Sequence, residues 1–198
     1  VGTIYHGVPE VAHDSRADPE RFDVVNIARH DPVKGVDVLL DAMALLPDDI
    51  TLRQFGSGAE SANLHQQCDR LGLTDRVTFT DLPWEERAAD QICASHVFVL
   101  SSRTEGLPVS IMEAMLAGVA VIAPDVGSVR EVVTDGVTGL VVTPEQPAEF
   151  AAAIQSLRDD SNRRLAMGEA GRTVALQRFT IDATVDAYCE LFTRMLSI

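Results

Sequence analysis

Two acids, Glu105 and Glu113, are separated by seven residues across a junction of loop and helix. The stretch Ser101-Ser102-Arg103-Thr104-Glu105-Gly106-Leu107-Pro108 leads into the apolar run from Val109 to Leu116. Val109, Ile111, Met112, Ala114, Met115 and Leu116 leave that helix apolar nearly all round, so it should be buried, and a carboxylate on a buried helix needs partners. Helical side chains lean toward the N-terminus, which turns Glu113 in the second turn back toward the loop that carries Glu105. Both acids then flank one pocket. The start of the helix adds unpaired N–H groups and a partial positive charge, which suit a phosphate lying between acids that hold hydroxyls. Pro108 fits the first turn of this helix and Gly118 its end. The plainer alternative for Glu113 is a salt bridge to Arg103 or Arg29.

Two more loops carry groups of the same kind. Ala28-Arg29-His30-Asp31-Pro32-Val33-Lys34-Gly35 places two cations just ahead of a helix, where they could grip a diphosphate or could be solvated surface charges. Lys34 is the only lysine, all other basic residues being arginine. Gly56-Ser57-Gly58-Ala59-Glu60-Ser61 offers a glycine pair at a helix start, either a close backbone approach to a ligand or a plain tight turn. Asp81 could mimic the ribose-binding acid of a dinucleotide site, although Ser61 stands where the third glycine of that fingerprint belongs.

The elements that must position these loops alternate along the chain. Strands are expected at Asp23 to Ala28, Thr51 to Phe55, Val77 to Thr80, His96 to Leu100, Val119 to Ala123 and Gly139 to Val142. Between them runs helical periodicity, clearest in Val36, Leu39, Leu40, Met43 and Leu46. Apolar strand runs without in/out alternation imply a parallel sheet covered on both faces. The expected fold is therefore α/β, a doubly wound, Rossmann-like parallel sheet, with ligands beyond the carboxyl ends of the strands. Helices marked by Phe150, Ile154 and Leu157, by Arg163 to Leu176, and by Ile181, Val185, Tyr188, Phe192 and Met195 close the chain. The expected division is an incoming linker over 1–22, the Rossmann-like domain over 23–178 and a C-terminal helix over 179–198. A β-prone opening without methionine reads as a piece of a longer chain.

Composition removes several classes of function. The 198 residues are 46% hydrophobic, enough for a folded core, and carry a formal charge of −14, which disfavours a nucleic-acid or anionic-lipid footprint. The longest apolar run, Ala114 to Ala123, is about half of what a bilayer span needs, so no membrane span is expected. Cys68, Cys93 and Cys189 are odd in number and fall in helical segments, which fits reduced thiols and a cytoplasmic location. His65 and Cys68 share one helix face without a further ligand pair, so no metal site is expected. No Gly-x-Ser-x-Gly elbow is present. Trp84 reads as packing and Glu85 and Glu86 as a solvated helix face.

The run from Ser102 to Pro108 through Glu113-Ala114-Met115, with Gly118, Pro124-Asp125-Val126-Gly127, Glu131-Val132-Val133 and Asp135 to Leu140, resembles the C-terminal half of group 1 retaining glycosyltransferases, glycosyltransferase family 4. Glu105 and Glu113 fit that family's Glu-x7-Glu motif. The resemblance implies a GT-B fold whose C-terminal Rossmann-like domain binds the nucleotide-sugar donor, with this chain being that half only. It further implies that Glu113 holds the ribose hydroxyls, Glu105 the transferred hexose, and Arg29 with Lys34 the diphosphate. Backbone N–H groups of Gly106, Leu107 and Val109 would complete the phosphate site, Pro108 having none to give, with Gly56 and Gly58 lining the donor. Leu82 and Pro83 would meet the base, and no cofactor or metal is needed beside the UDP- or GDP-linked substrate. Ala28, Ala59 and Asp81 depart from the family pattern. The implied partner is a missing N-terminal acceptor domain, to which any peripheral membrane contact would fall, and the isolated half should not turn over. The alternatives are an NAD-dependent dehydrogenase, resting on Gly56, Gly58 and Asp81, and a nucleotide-sugar-binding module without catalysis.

Overall fold

The computed structural model describes residues 3–10, 21–81 and 88–196. Six strands form one sheet: β1 (Phe22–Ile27), β2 (Ile50–Phe55), β3 (Val77–Thr80), β4 (Val97–Val99), β5 (Ala120–Pro124) and β6 (Gly139–Val142). They lie in the order β3-β2-β1-β4-β5-β6, and each neighbouring pair is parallel. The described helices are α1 (Val36–Met43), α2 (Ser61–Arg70), α3 (Ala88–Cys93), α4 (Val109–Leu116), α5 (Val129–Val132), α6 (Pro147–Asp159), α7 (Ser161–Arg178) and α8 (Ile181–Leu196).

A parallel sheet needs crossover segments, and here they cover both faces. On one side Leu39 of α1, Leu64 of α2 and Phe150 of α6 share a core with Val24 and Leu52. On the other, Ile92 of α3, Met112 of α4 and Val129 of α5 pack with Val25, Phe98 and Val121. Central β4 and β5 are buried throughout, whereas edge strands β3 and β6 are partly exposed. Burial on both faces is why the central strands read as apolar runs. The chain winds outward from β1 to β3, returns to β4 and winds the other way. The chain therefore leaves β1 and β4 for opposite faces of the sheet, α1 on one and α4 on the other, and the carboxyl edge between them is where such sheets bind ligands.

The expected doubly wound sheet is the one observed. β3 and β6 have the expected limits, while β1 begins one residue early and β4 is trimmed at both ends. His96 lies outside β4, its backbone N–H donating to the Asp23 carbonyl at 2.9 Å and its Nδ1 accepting from the Asp23 N–H at 3.1 Å. Helix α5 has no counterpart in the sequence reading, because four residues are too few to display a helical period.

Residues Thr3 to Glu10, part of the stretch read as linker, dock at the junction of α7 and α8. Val8 is buried and bridges to Thr180, and the Tyr5 ring meets Phe179 edge-on at 5.4 Å. The stripe Ile181, Val185, Tyr188, Phe192 and Met195 lies on α8 as expected, but all of it is exposed and the helix buries no residue. None of the three cysteines is in a disulfide, Cys68 and Cys93 being buried and Cys189 exposed. Among the described residues no helix is long and apolar enough to cross a membrane.

Candidate functional site

The loop after β1 is built as a rigid platform. Arg29 is exposed at its start. The Asp31 carboxylate then accepts from the Val33 N–H at 3.0 Å, capping a 3-10 turn over Pro32–Lys34 that hands on to α1. Gly35 closes this turn with φ of +61°, and a Cβ there would stand 2.1 Å from the Ser101 carbonyl oxygen. Only glycine allows that contact between loops. The Ser101 hydroxyl donates to the Lys34 carbonyl at 2.9 Å, and the Arg103 N–H donates to the Val33 carbonyl at 2.7 Å. Held from both sides, Lys34 extends to the loop after β4, where its Nζ donates to Glu105 Oε1 at 2.7 Å. Their side chains are 25% and 10% exposed. The cation and acid expected to serve different parts of one ligand are thus each other's counterion.

The loop between β4 and α4 is supported from below by the segment after β5. A Cβ on Gly127, whose φ is +52°, would lie 1.8 Å from the Glu105 carbonyl oxygen, and the Ser128 hydroxyl donates to the Gly106 carbonyl. Gly106 itself has open space where a Cβ would go. Pro108 stands one residue outside the helix, at the N-cap, not in its first turn. The Val109 N–H expected to bind phosphate donates instead to the Leu107 carbonyl at 3.0 Å, because the chain tightens as it passes Pro108. The amides of Gly106 and Leu107 donate to no backbone carbonyl among the described residues. At the far end, Gly118 closes α4 with φ of +70°. The helix is buried as expected, although Val109 is exposed and Glu113 is half-buried. Arg103 is not bridged to Glu113: its guanidinium is committed to Asp37 and Glu145.

The glycine pair after β2 packs closely against the loop after β1. A Cβ on Gly56, with φ of +127°, would lie 2.2 Å from the Ala28 carbonyl oxygen, and one on Gly58 would lie 2.5 Å from that of His30. Both glycines are required by the neighbouring backbone, as the tight-turn reading of the pair expects. The His30 N–H donates to the Ser57 carbonyl at 3.0 Å, and the Glu60 N–H to the His30 carbonyl at 3.0 Å. The His30 ring is 2% exposed, pairs through Nδ1 with Ser61 Oγ at 2.7 Å, and leaves Nε2 without a partner. Burial, aided by neighbouring His65 and opposed by Asp81, pushes its pKa below the ordinary imidazole value. Leu82, Pro83 and Trp84 to Glu86 lie outside the described residues.

A family model for group 1 glycosyl transferases matches residues 9–174, most of the chain. The chain belongs to that family. Lipopolysaccharide core biosynthesis glycosyltransferase LpsE of Rhizobium meliloti is 32% identical over 168 residues, covering 85% of this chain and 48% of that protein. Alpha-D-kanosaminyltransferase of Streptomyces kanamyceticus is 31% identical, covering 87% of this chain and 46% of its own length. Among solved structures, Anabaena HepE in complex with UDP and glucose matches with a TM-score of 0.82 at 29% identity, over 88% of this chain and 48% of that one. The chain thus spans about half the length of the relatives it matches, and its sheet and flanking helices share their Rossmann-like GT-B architecture.

In this group 1 domain the fold gathers Lys34, Glu105, Gly106 and Leu107 at the switch point between β1 and β4, with exposed Arg29 at the start of the loop after β1. Gly56 and Gly58 stand on the adjoining loop beside β1. The supporting residues Gly35, Ser101, Asp37, Glu145 and Ser128 escaped the sequence reading. Each acts across at least twenty positions of chain, so no local spacing announces it. An isolated glycine directly after a cation or before a serine, as at Gly35 and Gly127, is the one signal that was available.

Proposed function

We propose that this chain is the donor-binding half of a retaining glycosyltransferase of family 4. The observation that carries the reading is the Lys34–Glu105 contact at 2.7 Å, which sets a cation and a carboxylate side by side at the topological switch point, before a buried helix. A nucleoside diphosphate would lie with its phosphates between Arg29, Lys34 and the free amides of Gly106 and Leu107. Those fixed positive groups would stabilise the leaving diphosphate with no metal or cofactor. Glu113 would take the ribose hydroxyls and Glu105 the hexose being transferred. UDP is the favoured nucleotide, since HepE at 29% identity is a UDP complex; the loop at Leu82 and Pro83 would meet its base. The acceptor would be held by a separate N-terminal domain, consistent with the half-length match to the relatives, so the Rossmann-like unit of 23–178 with its helix 179–198 should bind donor but not turn it over alone. We place the protein in the cytoplasm, where its thiols stay reduced and sugar nucleotides are available.

Isothermal titration of the folded chain with UDP and GDP tests the reading. Binding of one of them, weakened at least tenfold by Lys34→Ala and by Glu113→Ala, is expected; each variant removes charge-assisted hydrogen bonds worth about 1.5–3 kcal/mol. No heat from either nucleotide, or unchanged affinity in both variants, would refute it.

A further inference from the structure

Arg103 belongs to none of the groups assigned to the donor, yet it joins three segments around the site. Its Nη1 and Nη2 form a fork on the Asp37 carboxylate at 2.9 and 2.7 Å, and its Nε donates to Glu145 Oε1 at 2.7 Å. Nη1 also donates to the Pro32 carbonyl, and the Arg103 backbone N–H donates to Val33 at 2.7 Å. Pro32 and Val33 directly precede Lys34; Asp37 is the second residue of α1, three positions after Lys34; Glu145 follows β6 in a left-handed backbone conformation, φ +57°. On the other flank of Lys34, Gly35 lies against the Ser101 carbonyl. The backbone on both sides of Lys34 is therefore fastened to residues 101–103, two positions before Glu105.

Two carboxylates outweigh the one guanidinium they face, so Arg103 has no positive charge left to offer a phosphate. Its hydrogen bonds to Asp37 and Glu145 hold its pKa above the ordinary arginine value, so the clamp stays charged at any working pH. A direct phosphate ligand would present an unpaired fork. We infer that Arg103 is a positioning residue, which holds the Lys34 turn at the height where its ammonium meets Glu105 and, on the functional reading above, the diphosphate of the donor.

Calorimetry with UDP and with uridine separates this role from general support of the fold. Arg103→Ala is expected to weaken UDP about tenfold, the loss of roughly one charge-assisted bond's worth of alignment, and to leave uridine unchanged. Arg103→Lys should fall between, since a point charge cannot form the fork, and Asp37→Asn should repeat the arginine effect. In a Lys34→Ala background, Arg103→Ala should change UDP affinity less than twofold. Unchanged UDP affinity, an equal loss for uridine, or full additivity with Lys34→Ala would overturn the inference. A second readout needs no nucleotide: Lys34 is the only lysine, so its acylation at pH 8, followed by peptide mass spectrometry, reports its tether to Glu105. Arg103→Ala and Asp37→Asn should each raise that rate several-fold. Equal rates would overturn the inference, whereas a wild-type chain that ignores UDP, together with variants that still acylate faster than it does, would overturn only the functional reading.

Discussion

Replacing Glu105 by glutamine should tighten the binding of UDP, even though Glu105 sits in the proposed donor site. The Lys34 ammonium is bonded to Glu105 at 2.7 Å, with the carboxylate only 10% exposed. A diphosphate must take over that ammonium and lie beside a like charge. The gross attraction of such a pair is about 4 kcal/mol at 4 Å in an effective dielectric of 20. Desolvation and ordering of a long side chain cut the net value to about 1 kcal/mol, the upper end of what exposed pairs show. Glutamine keeps the shape, removes the competing charge and relieves the repulsion, so the dissociation constant for UDP should fall roughly five- to tenfold. Calorimetry at low and high salt is the assay, and the gain should shrink as salt screens the site. UDP-glucose supplies the opposite sign: any affinity that its hexose adds over UDP in the wild type should shrink in the variant, because the carboxylate that would hold a sugar hydroxyl is gone. Weaker or unchanged UDP binding, with thermal unfolding intact, would refute the argument that Lys34 and Glu105 compete with the phosphates.

The glycines separate packing from ligand access. Gly56→Ala would drive a Cβ to 2.2 Å from the Ala28 carbonyl at a φ that disfavours side chains, and should destabilise the fold by about 3 kcal/mol, seen as a lower denaturant midpoint. Gly106→Ala meets open space, so the denaturation curve should move by less than about 1 kcal/mol while UDP binding falls if phosphate lies over that amide. His30 makes stability depend on pH. Because burial lowers its folded pKa, its contribution is complete above the unfolded value of about 6.5 and is lost as pH falls below that value toward the folded one. The wild type should lose up to about 1.4 kcal/mol per pH unit there, and His30→Phe should lack that component; parallel stability–pH curves for the two would count against it.

The parts of this protein that were legible in its sequence share one property: their signal is carried by residues close together in the chain. Doubly wound order follows from short apolar strands alternating with helical periods, and β3, β6, α1 and the three closing helices emerge near their expected limits. The Glu105–Glu113 pair stands out because both acids flank one loop–helix junction. Local spacing does not show a contact between distant segments, an element too short to display a period, or a tight turn that takes up a single N–H. Helix α5 has four residues. Val109 lost its free N–H to the turn at Pro108, and Gly56 and Gly58 answer to the carbonyls of Ala28 and His30, some twenty-eight positions upstream.

Sequence by itself determined the class of fold, the carboxyl edge where sheets of this kind bind ligands, and the inventory of acids and cations available there, since all of these depend on residue type and local period. Tertiary structure alone decided which of those groups meet. The choice of Glu105 as partner for Lys34, and of Asp37 with Glu145 for Arg103, is made by strands β1, β4 and β6 lying in register in one sheet. An ion pair between side chains seventy residues apart depends on ångström-scale placement of two backbones, and no pattern within either loop encodes that distance.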